Sequence, residues 1–486
     1  MSLVRNVLLV VILLEVAWWG FAIPPNSLSD DGYFHLRQAE NIRSTGFPLV
    51  NDELSYGGRN HIILPLYDYF VALISFMANL EVAIKIVNFI LIACLIASVF
   101  FVAREMAGDV TSALFSAAAF GLLPSILDNM SSSILLGLLF IMILIFFISR
   151  TNISNNLLII SAIFVLLLFT NIIYLLLIIG LLLYVFFIKT EEIKHSQGEL
   201  ELVLCATLVS VWFSMIIFRN ALVFHGVEAL FGNVPEQLQN QFPNPISLVI
   251  LLGPVPFFLG LYAIFNHFFI KKNKSVYLCI SLLLASFFLT IFSFVPVSEG
   301  IVISATLLCA LSSFSWKELF FSIEKTKLSN FKTHLQLLAT LMVVLIGFAT
   351  LQTYAYIYKN SILSASDIDA IKWMGNNTQP GAKVMALYDE GNAIATLSRH
   401  PTVGDSSFIL IGNSNEITSD QLRFFKTYET DAVRIMNKNN ASLIFYSQRA
   451  QAQSAKPEYL NNKECFELIY GAGAQIYNSK CRLIVS

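Results

Sequence analysis

The chain has 486 residues, 56% of them hydrophobic and 13% charged, with a formal net charge of −2 and a mean hydropathy of +0.70. Soluble domains carry roughly 25% charged residues, so this composition excludes an ordinary soluble protein and points to a polytopic membrane protein. The near-neutral charge gives no hint of nucleic acid, and there is neither a Cys/His metal-finger spacing nor a Gly-rich phosphate loop.

In chain order, the first membrane-length run is 6–24. It ends in Trp18, Trp19 and Phe21 and no small-residue cleavage site follows, so it reads as an uncleaved helix with an interfacial aromatic belt. Further apolar runs lie near 82–103, 110–127, 134–149, 156–169, 171–188, 199–218, 247–270, 276–295, 300–315 and 334–355, giving about 11 transmembrane helices. The run 61–77 is interrupted by Pro65, Asp68 and Tyr69. A central Asp costs about 2.5–3.5 kcal/mol on insertion scales, so this run is placed as an amphipathic or re-entrant helix inside the first outer loop.

With the N-terminus inside, inner segments hold Arg5, Arg104, Arg150, Lys189, Lys194, Lys271, Lys272, Lys274, Lys317, Lys325, Lys327 and Lys332. The outer side holds Arg37, Arg43, Arg59, Lys85 and Arg219, and this excess of inner positive charge sets the orientation. Loops 25–81, 128–133, 219–246 and 296–299 then face outward. Residues 1–355 form the transmembrane domain, and 356–486, of ordinary polar composition, a small extracytoplasmic α/β domain.

Within that tail, Ser366 with Asp369 reads as a capping box and Pro380-Gly381 as the end of its helix. Segments 383–388 and 442–447 read as strands. Segment 419–438 reads as one helix with Leu422, Phe425, Tyr428, Val433 and Met436 on its core face. Cys94, Cys205, Cys279 and Cys309 fall in apolar spans, as inert core residues. Cys465 and Cys481 are the two cysteines of the tail, and either a disulfide between them or two free thiols fits.

The stretch Asp31-Gly32-Tyr33-Phe34-His35-Leu36-Arg37 places a carboxylate just outside the bilayer beside aromatics and an Arg. That suits an oxygen-ligated metal and a phosphate-bearing lipid; the alternative is a solvated loop carboxylate. Glu236, after Pro235, is either functional or a helix-starting carboxylate. Asp128 is a cap or a ligand, Arg37 a brace for the first-loop helix or a phosphate contact. His35 reads as a packing or interfacial residue. Glu299 either snorkels to water or joins a lipid-head pocket.

Taken in order, these features resemble the oligosaccharyltransferase catalytic subunits of the archaeal and bacterial single-subunit type, in divergent form. That family has the C-type glycosyltransferase (GT-C) fold. Asp31-Gly32-Tyr33 resembles its first acidic motif. Pro65-Leu66-Tyr67, Asn233-Val234-Pro235-Glu236 and the Gly/Pro-marked helix 251–261 follow in the family's order. Leu387-Tyr388-Asp389-Glu390-Gly391 occupies the place of the W-W-D-Y-G signature, and Thr402-Val403-Gly404-Asp405 continues it.

The resemblance implies a multi-pass cell-membrane glycosyltransferase acting as a single subunit. It implies a polyprenyl-phosphate-linked oligosaccharide donor and an acceptor polypeptide, most simply its Asn. It also implies Mg²⁺ or Mn²⁺ held by Asp31, Glu236 and Asp128, with Asp31 and Glu236 catalytic. Arg37 would contact the donor phosphate, and Tyr388, Asp389 and Gly391 would bind the acceptor. Such chemistry needs charge stabilisation on the leaving phosphate, and carboxylates that orient a poorly nucleophilic amide. The departures are specific. Both tryptophans and the tyrosine of the signature are lost, a second acidic motif is reduced to Asp128, and Ser298-Glu299-Gly300 stands where an Arg is usual. They leave open a transferase for a different acceptor, lipid or polysaccharide, or a non-catalytic membrane homologue.

Overall fold

The computed structural model describes residues 3–22, 28–149, 153–193, 197–226, 235, 237–238, 242–359, 362–453 and 456–482. Among them, six helices are long and apolar enough to cross a membrane: Leu3–Phe21, Leu80–Ala107, Gly198–Ile217, Lys274–Ile291, Val297–Glu324 and Lys327–Lys359. Shorter apolar helices lie at Leu66–Ser75, Val110–Gly121, Ile134–Ser149, Asn156–Leu168 and Tyr174–Thr190. Leu80–Ala107 shows how the sequence sets the limits of such a helix. The Asn79 side chain accepts from Val82 N–H at 2.8 Å, and Gly108 closes the far end at φ 68°. At 1.5 Å per residue the helix is about 42 Å long, more than a hydrocarbon core requires.

The run 247–270, expected as one span, is broken. Helices Pro245–Leu252 and Pro254–Ile270 meet at 88°. Gly253 stands between them at φ 77°, where a Cβ would come within 2.8 Å of Leu123, and Pro254 removes the donor that would continue the first helix. Val297–Glu324 occupies the centre of the bundle against Pro254–Phe265, Val110–Gly121, Lys274–Ile291 and Leu80–Ala107. Small hydroxyls tie it in: Ser116 and Ser312 share a hydrogen bond of 3.1 Å, and Ser315 donates to the Leu259 carbonyl at 2.5 Å.

The first interhelical segment folds as helix Asp30–Thr45, an antiparallel hairpin pairing Asn51–Asp52 with Arg59–Asn60, and helix Leu66–Ser75. The last helix is amphipathic. Tyr67, Asp68, Val71, Ala72 and Ser75 are buried while Phe70 and Leu73 are exposed.

The C-terminal region carries a four-stranded sheet in the order Val384–Met385, Leu443–Tyr446, Ala474–Ser479, Phe466–Ala472. The first pair is parallel and the others antiparallel. Leu443–Tyr446 is buried on both faces. Leu443 and Phe445 join the core that runs on into the membrane helices, whereas Ile444 and Tyr446 pack with Phe424, Phe425 and Tyr477 in a second cluster. Cys465 and Cys481 are joined as a disulfide with Cα atoms 4.7 Å apart.

Three details differ from the sequence reading. The capping box is Ser364 with Asp367, opening helix Ala365–Asn377, which ends at Thr378 before Pro380 is reached. Segment 383–388 is a paired strand only at Val384–Met385. Segment 419–438 is split into Ser414–Phe424 and Glu429–Lys438, because Tyr428 turns extended (φ −97°, ψ 167°) to start the second helix; its ring is exposed, off the core face.

Candidate functional site

Helix Asp30–Thr45 builds the site. Ser29 caps it, accepting from Gly32 N–H at 3.2 Å, and its first turn presents Asp30 and Asp31 to the positive end of the helix dipole. Asp31 and His35 are four residues apart and share a face. Helix Leu66–Ser75 brings Asp68 to the same place. His35 Nδ1 lies 2.6 Å from Asp68 Oδ1, and His35 Nε2 lies 3.6 Å from Asp31 Oδ2. The Asp31 side chain is 49% exposed, against 1% for Asp68. Tyr67 packs edge-on against the His35 ring at 4.8 Å. Burial disfavours the imidazolium, but the two carboxylates outweigh it and hold the His35 pKa up at about 9.

This constellation opens into a cavity of about 730 Å³. Asp31, His35 and Asp68 meet Asn171 and Glu299 from the helix bundle and Tyr388 with Ser406–Ile409 from the C-terminal region. Ile62, Ile63, Leu64, Val295 and Val297 give it an apolar wall.

The neighbouring acid, Asp30, is spent on holding the C-terminal region in place. It accepts from Asn392 Nδ2 at 2.9 Å, Ser406 Oγ at 2.8 Å and Ala393 N–H at 3.1 Å. Burial, with nearby Asp405, pushes its pKa up to about 7. Asp405 is the second anchor. It takes Arg59 Nη2 at 3.3 Å and the Ser55 hydroxyl, while Tyr56 O–H donates to its carbonyl at 2.9 Å.

Several residues singled out from the sequence sit elsewhere. Arg37 is not in the cavity wall. It is buried, with Nη2 at 2.6 Å from Asp52 Oδ2 and 3.2 Å from Asn392 Oδ1, so its reading as a phosphate contact gives way to that of a brace. Asp128 also lies outside the wall and accepts the Tyr354 hydroxyl, so it does not join Asp31. Glu236 lies outside the described residues.

Of the tail trio, Tyr388 reaches the cavity. Asp389 instead pairs with Arg449 at 2.7 Å, and Arg449 also lies 3.2 Å from Glu390. Burial raises the Asp389 pKa against the pull of Arg449. Gly391 makes a close approach: a Cβ there would sit 2.3 Å from the Gly404 carbonyl oxygen, so no side chain fits.

From the sequence, His35 reads as packing, Asp68 as a break in an apolar run and Arg59 as an outer charge, and none of them, nor Asp30, is given a site role. The four-residue spacing of Asp31 and His35, and an Asp inside an apolar helix, were the available signals. The family resemblance implies a divalent ion. Among the described residues, no three His, Cys, Asp or Glu side chains are arranged to hold one. His35 Nδ1 is committed to Asp68, and Asp128 is absent from the cavity. Among the described residues Asp31 and Asp128 therefore do not share an ion, and Glu236, the third expected ligand, lies outside them.

No protein-family model matches this sequence, and no curated protein sequence matches it. Solved structures share the fold. An oligosaccharyltransferase of Archaeoglobus fulgidus, tethered to an acceptor peptide containing the NVT sequon, superposes with a TM-score of 0.66 at 14% identity, covering 98% of this chain and 74% of that one. AglB of the same organism, with an inhibitory peptide and a dolichol-phosphate, gives the same values. ArnT from Cupriavidus metallidurans, bound to undecaprenyl phosphate, gives a TM-score of 0.58 at 12% identity over 97% of this chain and 98% of its own. The chain thus shares the fold of these solved structures.

Proposed function

We propose that this chain is a multi-pass GT-C glycosyltransferase of oligosaccharyltransferase type, with about eleven spans and an extracytoplasmic C-terminal α/β domain. It takes a glycan from a polyprenyl-phosphate-linked donor. The observation that carries this reading is the cavity itself. An apolar wall suited to a prenyl chain meets Asp31 and a cationic His35 at the junction of the helix bundle and the C-terminal region. The dolichol-phosphate and undecaprenyl-phosphate complexes of the similar structures support the same donor class.

Chemically, the bond from glycosyl C1 to the phosphate oxygen breaks with its electron pair going to phosphate. C1 bonds to the acceptor atom as that atom gives up a proton, which passes to the Asp31 carboxylate and from it to solvent. The charge that grows on the phosphate is met by the His35 imidazolium, fixed by Asp68 before the reaction starts. Half-exposed Asp31 accepts a hydrogen bond from the acceptor and orients it. Tyr388 lines the acceptor side. No step is routed through a metal ion.

The acceptor is most simply an Asn of a polypeptide, the kind of ligand tethered in the Archaeoglobus structure. A second reading, a lipid or polysaccharide hydroxyl, is favoured by one observation: Asp389, the signature's acid, is turned onto Arg449. Purified protein supplied with a polyprenyl-linked oligosaccharide and either a sequon peptide or a hydroxyl acceptor decides between them. Asp31→Ala must abolish the product; transfer indifferent to Asp31 refutes the site.

A further inference from the structure

A second cavity, of about 600 Å³, lies beside the first, between the 51–60 hairpin, helix Arg219–His225 and segments 410–413 and 438–440 of the C-terminal region. Its chemistry is reversed. The first cavity holds Asp31, Asp68 and Glu299, whereas the described wall of the second has Arg59, Lys383 and Lys438 and no carboxylate.

Two of these cations are already compensated. Arg59 pairs with Asp405 at 3.3 Å, and Lys438 with Asp420 at 2.6 Å and Glu416 at 2.7 Å. Lys383 is held differently: its ammonium donates to the Tyr56 carbonyl at 3.1 Å and forms no ion pair with a described carboxylate. Burial lowers its pKa, a desolvation cost that an incoming anion offsets.

Around it stand Asn60, Asn220, Asn413, Asn439 and Asn440. Asn439 spends its amide donors on Asp420 and the Ile435 carbonyl. The other carboxamides carry donors and an acceptor together, which matches hydroxyl groups that also donate and accept. Leu410, on the strip of chain between the two cavities, is held at φ 66°, uncommon for a residue that is not glycine. Arg59 lies in both walls and fixes that strip through the Ser407 and Ile409 carbonyls.

We infer that this cleft binds an acidic saccharide, with Lys383 opposing a sugar carboxylate and the asparagine amides its hydroxyls. The inference rests on the glycosyltransferase reading in taking that saccharide as the part of the transferred glycan remote from the phosphate. Charge complementarity sets the carboxylate and amide density sets the sugar.

The test is titration of the full chain in nanodiscs with tetragalacturonate, with neutral maltotetraose and with tetra-aspartate peptide. Tetragalacturonate is expected to bind about tenfold tighter than either, with a preference that shrinks as salt is raised. Lys383→Gln should remove the preference and Lys383→Arg should keep most of it. Asn220→Ala with Asn413→Ala, on the exposed wall, should weaken both saccharides, and decides the matter if Lys383→Gln does not fold. Equal affinity for the acidic and neutral sugars, a preference that survives Lys383→Gln, or tighter binding of the peptide overturns the inference. Because binding is read without turnover, a protein that transfers but shows no preference refutes this inference alone. One that shows the preference but never transfers refutes only the transferase reading.

Discussion

Replacing Asp68 by Asn isolates the role of His35. The change keeps the size and an oxygen that accepts from Nδ1–H, and removes only the charge. In the wild type, burial works against the imidazolium, yet Asp68 at 2.6 Å and Asp31 at 3.6 Å lift its pKa to about 9. Without Asp68, only half-exposed Asp31 and a smaller contribution from Glu299 oppose burial, and the pKa falls back toward the ordinary imidazole value of about 6.5 or below. The difference is about 2.5 pH units, or about 3.4 kcal/mol at 1.36 kcal/mol per unit. At pH 8 the protonated fraction falls from about 0.9 to about 0.03, so transfer should drop about thirtyfold.

The sign follows from the raised pKa. Whatever the His35 charge contributes to stability and rate is fully present below pH 6.5 and is lost as pH rises through about 9. A pH–rate profile of glycan transfer reads this directly. The alkaline limb should fall near 9 in wild type and near or below 6.5 in Asp68→Asn. A limb that does not move refutes the assignment of His35 as the cation facing the phosphate.

Arg37→Met leaves buried Asp52 with His61 at 3.3 Å and the Leu54 N–H at 3.0 Å, so it should cost less than the ~3–5 kcal/mol of a fully stranded charge, about 2 kcal/mol read by thermal melting, while the folded fraction keeps its donor affinity. Asp128→Asn retains an acceptor for Tyr354 and should leave both transfer and any metal dependence of transfer unchanged. Cys465→Ser with Cys481→Ser opens a 16-residue loop and should lower stability by about 3 kcal/mol, with transfer intact in the cold.

The helices were legible because apolar length is a composition signal, and Gly253-Pro254 inside run 247–270 already carried the break. For Arg37 the sequence left a brace and a phosphate contact both open, and the contacts are those of the brace. Its partner Asp52 arrives only through the register of a hairpin, which no local pattern fixes. His35 and Asp68 are 33 residues apart on two helices, and their pairing depends on how those helices cross. Asp30 and Asp31 are chemically identical in the sequence. One helical step separates a buried anchor for Asn392 and Ser406 from a half-exposed carboxylate in a cavity, and only packing against the tail distinguishes them.

Where the donor lipid sits is the point on which the account turns. A photoactivatable polyprenyl phosphate, crosslinked to the protein in bilayers and mapped by peptide mass spectrometry, reads it most directly. Labels should concentrate at residues 61–64 and 293–299, the walls flanking His35 and Asp31, and saturate with unlabelled polyprenyl phosphate. Labelling that spares both walls, or that His35→Ala leaves undiminished, contradicts it.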